Sequence, residues 1–119
     1  MTKQASALIL EDEPIVAFAL EDMLFELGFE EVRLATTLEA AFDYLEARAP
    51  DVAVLDVNIR GQRSYGFAEK LSGSGVPFLF ATGYGDAEHP EALRATPTLT
   101  KPYNQDELKA VLATLTDPQ

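Results

Sequence analysis

The sequence predicts an α/β fold: a (βα)5 three-layer sandwich in which one parallel five-stranded sheet lies between two layers of helices. Three observations predict it. Apolar runs and segments of helical periodicity alternate five times along the 119 residues, the pattern of a parallel sheet crossed over by helices. The runs at 7–10, 52–55 and 76–81 are apolar throughout, as strands covered on both faces must be. The runs at 31–35 and 98–100 are mixed, as strands at the margins of a sheet are.

The elements follow in order. "ALIL" (7–10) is a buried strand. Residues 14–28 form a helix: Val16, Leu20, Met23, Leu24 and Leu27 share one face, and Glu21, Asp22 and Glu26 lie opposite. Pro14 suits its first turn and Gly28 its C-terminal cap. "EVRLA" (31–35) alternates as a half-wet strand does. Thr36 and Glu39 have capping-box spacing before a second helix carrying Leu38, Phe42 and Leu45, and Pro50 ends it. "DVAVLD" (51–56) is an apolar strand closed by an acid. Residues 64–72 make a weaker helix stopped by "GSG", and "VPFLFA" (76–81) is a further buried strand. Segment 83–97 holds two glycines and two prolines and only a weak apolar stripe led by Leu93, so a short, labile fourth helix is expected. "TLT" (98–100) is the last strand. Asn104 and Glu107 repeat the capping pattern before Leu108, Val111, Leu112 and Leu115. With the mixed runs at the margins, the strand order is the flavodoxin-like 2-1-3-4-5. Phe18, Phe42, Phe67, Phe78 and Phe80 are expected in the core.

The length predicts one domain, 1–119, with no effector domain. Net charge −11, from 20 acids against 9 bases, disfavours contact with nucleic acid phosphate or anionic lipid. No apolar stretch reaches membrane-spanning length. The absence of cysteine removes disulfides and thiolate metal sites and fits a cytoplasmic protein. A monomer is expected.

Ligands of open parallel sheets bind beyond the carboxyl ends of the strands. Those ends carry Glu11 and Asp12 after the first strand, Asp56 and Asn58 after the third, Thr82 after the fourth and Lys101, before Pro102, after the fifth. The predicted order gathers three carboxylates, a hydroxyl and an ammonium. Converging carboxylates need a compensating cation, and oxygen ligands without Cys or clustered His point to Mg²⁺ or another hard divalent ion. Such a pocket favours phosphoryl transfer by positioning and charge neutralisation. Glu13 is accounted for by the helix dipole, and His89, the single histidine, by a loop.

"LILEDEP", "VAVLDVNIRG", "FATGYG" and "LTKPY" resemble, in order and spacing, the blocks of bacterial two-component response-regulator receiver domains. "FATGYG" further resembles the single-domain subgroup with a Phe-Ala-Thr-Gly-aromatic motif, associated with stress signalling. The resemblance implies that Asp56 is the phosphoacceptor, charged from a sensor histidine kinase or histidine phosphotransfer protein. It implies Asp12 as an Mg²⁺ ligand, Glu11 in the metal shell, and the Asn58 backbone carbonyl as a further ligand. Thr82 and Lys101 would hold phosphoryl oxygens, the Lys101–Pro102 peptide would be cis, and Pro102 and Tyr103 would meet the kinase. Turnover as an enzyme is not implied beyond self-phosphorylation and slow dephosphorylation.

Three positions depart from the family. Glu11 stands where aspartate is common, Arg60 where proline is common, and Thr98 where most receivers carry the aromatic that moves on phosphorylation. Tyr84 is expected to take over that switching role with Thr82, and the 83–103 surface to change its affinity for an output protein. Two alternatives compete: a small aspartate-nucleophile phosphatase, disfavoured because Asn58 replaces the second acid it needs, and an unphosphorylated interaction module on the same fold.

Overall fold

The computed structural model describes residues 5–83 and 90–116. One sheet has the strands β1 (Ser6–Leu10), β2 (Glu31–Ala35), β3 (Val52–Asp56), β6 (Phe78–Thr82) and β7 (Thr98–Thr100), all parallel, in the order β2-β1-β3-β6-β7. This is the predicted 2-1-3-4-5 arrangement. A two-stranded hairpin, β4 (Asn58–Ile59) with β5 (Gln62–Arg63), follows β3. The helices are α1 (Pro14–Glu26), α2 (Leu38–Ala47), α3 (Tyr65–Gly73) and α4 (Gln105–Thr116).

The central strands are sealed on both faces because their residues alternate between two cores. Leu8, Leu10, Ala53, Leu55, Phe78 and Phe80 point into one, closed by Ala41 and Leu45 of α2 and Phe67, Ala68 and Leu71 of α3. Ala7, Ile9, Val52, Val54, Leu79 and Ala81 point into the other, closed by Leu20 and Leu24 of α1 and Leu108 and Leu112 of α4. Burial of both faces is the reason these strands read as unbroken apolar runs.

Local signals set the helix ends. Pro14 occupies the first turn of α1, and Gly28 beyond it takes φ 108°, a conformation glycine tolerates. Asn104 and Glu107 form a reciprocal capping box: the Asn104 N–H donates to Glu107 Oε1 at 2.9 Å and the Glu107 N–H to Asn104 Oδ1 at 2.8 Å. Arg33 of β2 closes the far end of α2. It donates to the Tyr44 carbonyl at 3.3 Å and the Arg48 carbonyl at 2.9 Å, with its guanidinium over the Tyr44 ring.

Two expectations are corrected, the cap of α2 and the burial of Phe18 and Phe42. The cap of α2 is Thr37, whose hydroxyl accepts from the Ala40 N–H at 3.1 Å, rather than Thr36; the chain is still extended at Thr37, so the helix starts one residue late for the Thr36–Glu39 pair. α2 ends at Ala47 with Pro50 two residues past its C-cap Arg48, as expected of a proline that cannot continue a helix. Phe18 is 55% exposed because it lies on the flank of α1 away from the residues that meet the sheet, while Phe42 is 37% exposed yet sets its ring edge-on to Phe67 at 5.0 Å. The expected short fourth helix is, among the described residues, a single 3₁₀ turn, Glu91–Leu93, anchored by buried Leu93. Tyr84 and His89 lie outside the described residues.

Candidate functional site

β1 and β3 are neighbours in register, Leu10 beside Leu55, so the residues just past them, Glu11 and Asp12, meet Asp56. One carboxylate oxygen from each of Glu11, Asp12 and Asp56 lies within 4.8 Å of the others. β6 pairs with β3 through Asp56 and Ala81, which sets Thr82 one residue beyond, buried beside the acids. β7 pairs with β6, and the Lys101 N–H donates to the Thr82 carbonyl at 2.8 Å. That bond brings the lysine over the cluster. Its Nζ donates to Glu11 Oε1 at 2.7 Å and to Asp56 Oδ2 at 3.1 Å. The Lys101–Pro102 peptide is cis.

The electrostatics follow from burial. Glu11 is only 3% exposed. Desolvation pushes its carboxyl above the ordinary range, and the Lys101 hydrogen bond and charge offset that only in part. Desolvation pulls Lys101 the other way, yet the bonds and charges of Glu11 and Asp56 outweigh it and hold the ammonium above its usual value. The second Glu11 oxygen, Oε2, accepts the Glu13 N–H at 3.1 Å. Tyr103, pushed up to about 12 mainly by burial, sits beside this group as a neutral phenol.

The β3–α3 loop is tied to the site at several points. The Asn58 N–H donates to Asp56 Oδ1 at 3.3 Å, and the Arg60 N–H donates to Asp12 Oδ2 at 2.9 Å. Ser64 is fully buried; its hydroxyl donates to the Asp56 carbonyl at 2.6 Å and its N–H to the Val57 carbonyl at 2.9 Å. Sequence reading misses the hairpin and the Ser64 tether, and marks Arg60 only as a departure where proline is common. Its one signal is Gly61, two residues into a loop between "NI" and "QR", which is weaker than an Asn-Gly pair.

The expected residues Glu11, Asp12, Asp56, Asn58, Thr82 and Lys101 therefore come together. Thr98 lies on β7 opposite Phe80, with its hydroxyl donating to the Thr96 carbonyl at 3.4 Å. Tyr84 remains outside the described residues. Pro102 and Tyr103 line a separate apolar groove of about 450 Å³ with Ile15, Val16, Ala19, Leu20 and Met23, and Lys101 closes its end nearest the acids.

The donor set fits a hard divalent cation: three carboxylates, no nitrogen or sulfur ligand, and one ammonium offsetting part of the charge. An acid cluster with a lysine at the carboxyl edge of a parallel α/β sheet can hold a cation and phosphate oxygens together. The chain belongs to the response regulator receiver domain family, which it matches over residues 7–113. It is 30% identical to the response regulator Rre1 of Synechocystis, covering 97% of this chain and 53% of that protein. It thus spans about half the length of the curated relatives it matches. The solution structure of SdrG from Sphingomonas melonis is 38% identical with a TM-score of 0.83, covering 95% of this chain and 97% of that one. The PhyR stress response regulator is 26% identical with a TM-score of 0.79, covering 95% of this chain and 45% of that one. Receiver domains of this family bind Mg²⁺ at an acidic pocket, work with histidine kinases or phosphotransfer proteins, and are generally not enzymes. Among the described residues no helix is long and apolar enough to cross a membrane.

Proposed function

We propose that this receiver is a phosphorylation switch in which Asp56 accepts a phosphoryl group from the phosphohistidine of a sensor kinase or phosphotransfer protein. The observation that carries the reading is Lys101 bridging Glu11 and Asp56 while Asp12 lies within the same 4.8 Å cluster. Glu11, Asp12, Asp56 and the Asn58 backbone carbonyl are the groups that would hold Mg²⁺. When bound, the ion neutralises charge on the phosphoryl oxygens and the acceptor carboxylate.

The chain's own residues do the rest. An Asp56 carboxylate oxygen attacks phosphorus, the bond from phosphorus to the histidine nitrogen breaks, and its electron pair stays on the imidazole. Lys101 exchanges one of its carboxylate contacts for a phosphoryl oxygen. The Thr82 hydroxyl, one residue beyond the β3–β6 pairing at Asp56, donates to another. Tyr84 and the 83–103 surface respond to that engagement and alter affinity for an output protein. Slow self-dephosphorylation ends the signal.

The groove of Ile15, Val16, Ala19, Leu20, Met23, Pro102 and Tyr103 is the docking surface for the donor, because it opens beside Lys101 and is apolar. An absence of nucleic acid contact is part of this reading. Its support is the net charge of −11. The PhyR likeness, at 26% identity, supports a role in stress signalling.

Phosphotransfer from a panel of autophosphorylated kinases and phosphotransfer proteins, with and without Mg²⁺, tests the proposal. Label on the wild type and none on Asp56→Ala is expected. Equal labelling of both proteins overturns the assignment of the acceptor.

A further inference from the structure

Arg60 is held in an unfavourable backbone conformation. Its φ is 52° and that of Gly61 is 85°. Together they form the two-residue connection between β4 and β5, the kind of hairpin turn that needs positive φ at both central positions. Glycine or asparagine normally fills such places. An arginine there costs about 1 kcal/mol, and an outlier of this kind is a reason to ask what the conformation achieves.

It places a peptide N–H against a site carboxylate. The Arg60 N–H donates to Asp12 Oδ2 at 2.9 Å. The hairpin that carries it is fixed independently. Asn58 pairs with Arg63 and Ile59 with Gln62, Ile59 is buried, and Ser64 ties the far end to the Val57 and Asp56 carbonyls. The Arg60 side chain adds a third tie, its Nε donating to the Thr36 carbonyl at 3.3 Å. The loops after β1, β2 and β3 are thereby joined through one residue.

We infer that the main-chain N–H of Arg60 is a positioning group for the metal site, holding the Asp12 carboxylate in the orientation in which it meets Glu11 and Asp56. An ionised carboxylate offers about four acceptor sites, so one bond at Oδ2 leaves capacity for a cation. Asp12 has one such tie to the hairpin, whereas Glu11 is fixed by Lys101 and the Glu13 N–H. Hydrogen bonds that orient a ligating carboxylate alter metal affinity by about 10–100-fold when removed. The role belongs to the peptide group and not to the guanidinium, so the identity of residue 60 matters through the N–H and the left-handed turn. This rests on the reading of the acids as an Mg²⁺ site.

The test is Mg²⁺ titration by calorimetry of four proteins: wild type, Asp12→Asn, Arg60→Asn, and a form in which the Arg60 peptide N–H alone is replaced by an ester oxygen. Arg60→Asn keeps the N–H and suits the turn, so its affinity stays close to wild type. The ester form binds Mg²⁺ about 10–100-fold more weakly. An ester form that binds like wild type overturns the inference while leaving the metal reading intact. A wild type that binds no Mg²⁺ overturns the metal reading itself. As a second measurement that does not depend on the ester form folding, the Arg60 amide proton of the metal-free protein is followed by NMR. Its resonance shifts upfield in Asp12→Asn while those of Asn58 and Arg63 stay; an unmoved Arg60 resonance also overturns the inference.

Discussion

Replacing Lys101 by methionine keeps a straight, unbranched side chain and removes the ammonium. Glu11, 3% exposed, then loses its cation and is left beside Asp56 and Asp12. A unit pair at about 3 Å attracts by roughly 5 kcal/mol at an effective dielectric constant of about 20, and desolvation of both ions opposes that gain. Breaking a buried pair from one side costs about 3–5 kcal/mol. The Lys101 side chain is still 20% exposed, so the lower end, about 3 kcal/mol, is expected at neutral pH without Mg²⁺. The pH dependence follows from the sign of the Glu11 shift. Its folded carboxyl already titrates above the ordinary range, so its contribution to stability is full at low pH and is lost as pH rises through the folded value. Without Lys101 the folded value climbs further, and the loss deepens toward neutrality. Urea unfolding followed by circular dichroism, at about pH 7.5 and about pH 5, reads both effects. The deficit of the variant shrinks by about 1 kcal/mol or more at the lower pH. A deficit under about 1 kcal/mol at neutral pH, the range of exposed ion pairs, or equal deficits at both pH values, would refute the reasoning.

Three further outcomes are expected. Asp56→Asn unfolds at higher urea than wild type when Mg²⁺ is absent, by about 1 kcal/mol, because it removes one of the mutually repelling carboxylates; added Mg²⁺ narrows or reverses that order, and a variant less stable than wild type without metal contradicts it. Asn104→Ala costs about 1 kcal/mol through the lost capping box of α4, checked by the urea midpoint at unchanged slope. Tyr103, with its phenol raised to about 12, gives stability that holds below about pH 10 and falls as pH climbs toward the folded value. Tyr103→Phe removes that part of the alkaline loss, as measured by thermal unfolding across the range.

The framework was legible because burial leaves a written trace. β1, β3 and β6 must present apolar atoms to two cores, so each reads as an unbroken run, and β2 and β7 at the margins do not. The acids were legible because charges at the carboxyl ends of such strands have no core role. What stayed hidden depends on backbone geometry. The turn at Arg60 carries no Asn-Gly or Asp-Gly signature, yet it forms because Ile59 and Ser64 bury on either side of it. Thr36 and Thr37 offer the same hydroxyl, and only the path of the chain out of β2 chooses Thr37. Phe18 is a different case: the stripe of Val16, Leu20, Met23, Leu24 and Leu27 already puts it on the opposite side of α1, and its hydrophobicity alone argued for the core.

The central claim is that the cluster of Glu11, Asp12 and Asp56 becomes a phosphoryl acceptor when Mg²⁺ joins it. Beryllofluoride, a phosphoryl mimic, tests this most directly when added to the labelled protein with Mg²⁺ or with a chelator and followed by NMR. The account predicts shifts centred on Asp12, Asp56, Thr82 and Lys101 that require Mg²⁺ and vanish in Asp56→Ala. Identical spectra with and without the metal, or the same shifts in Asp56→Ala, would contradict it.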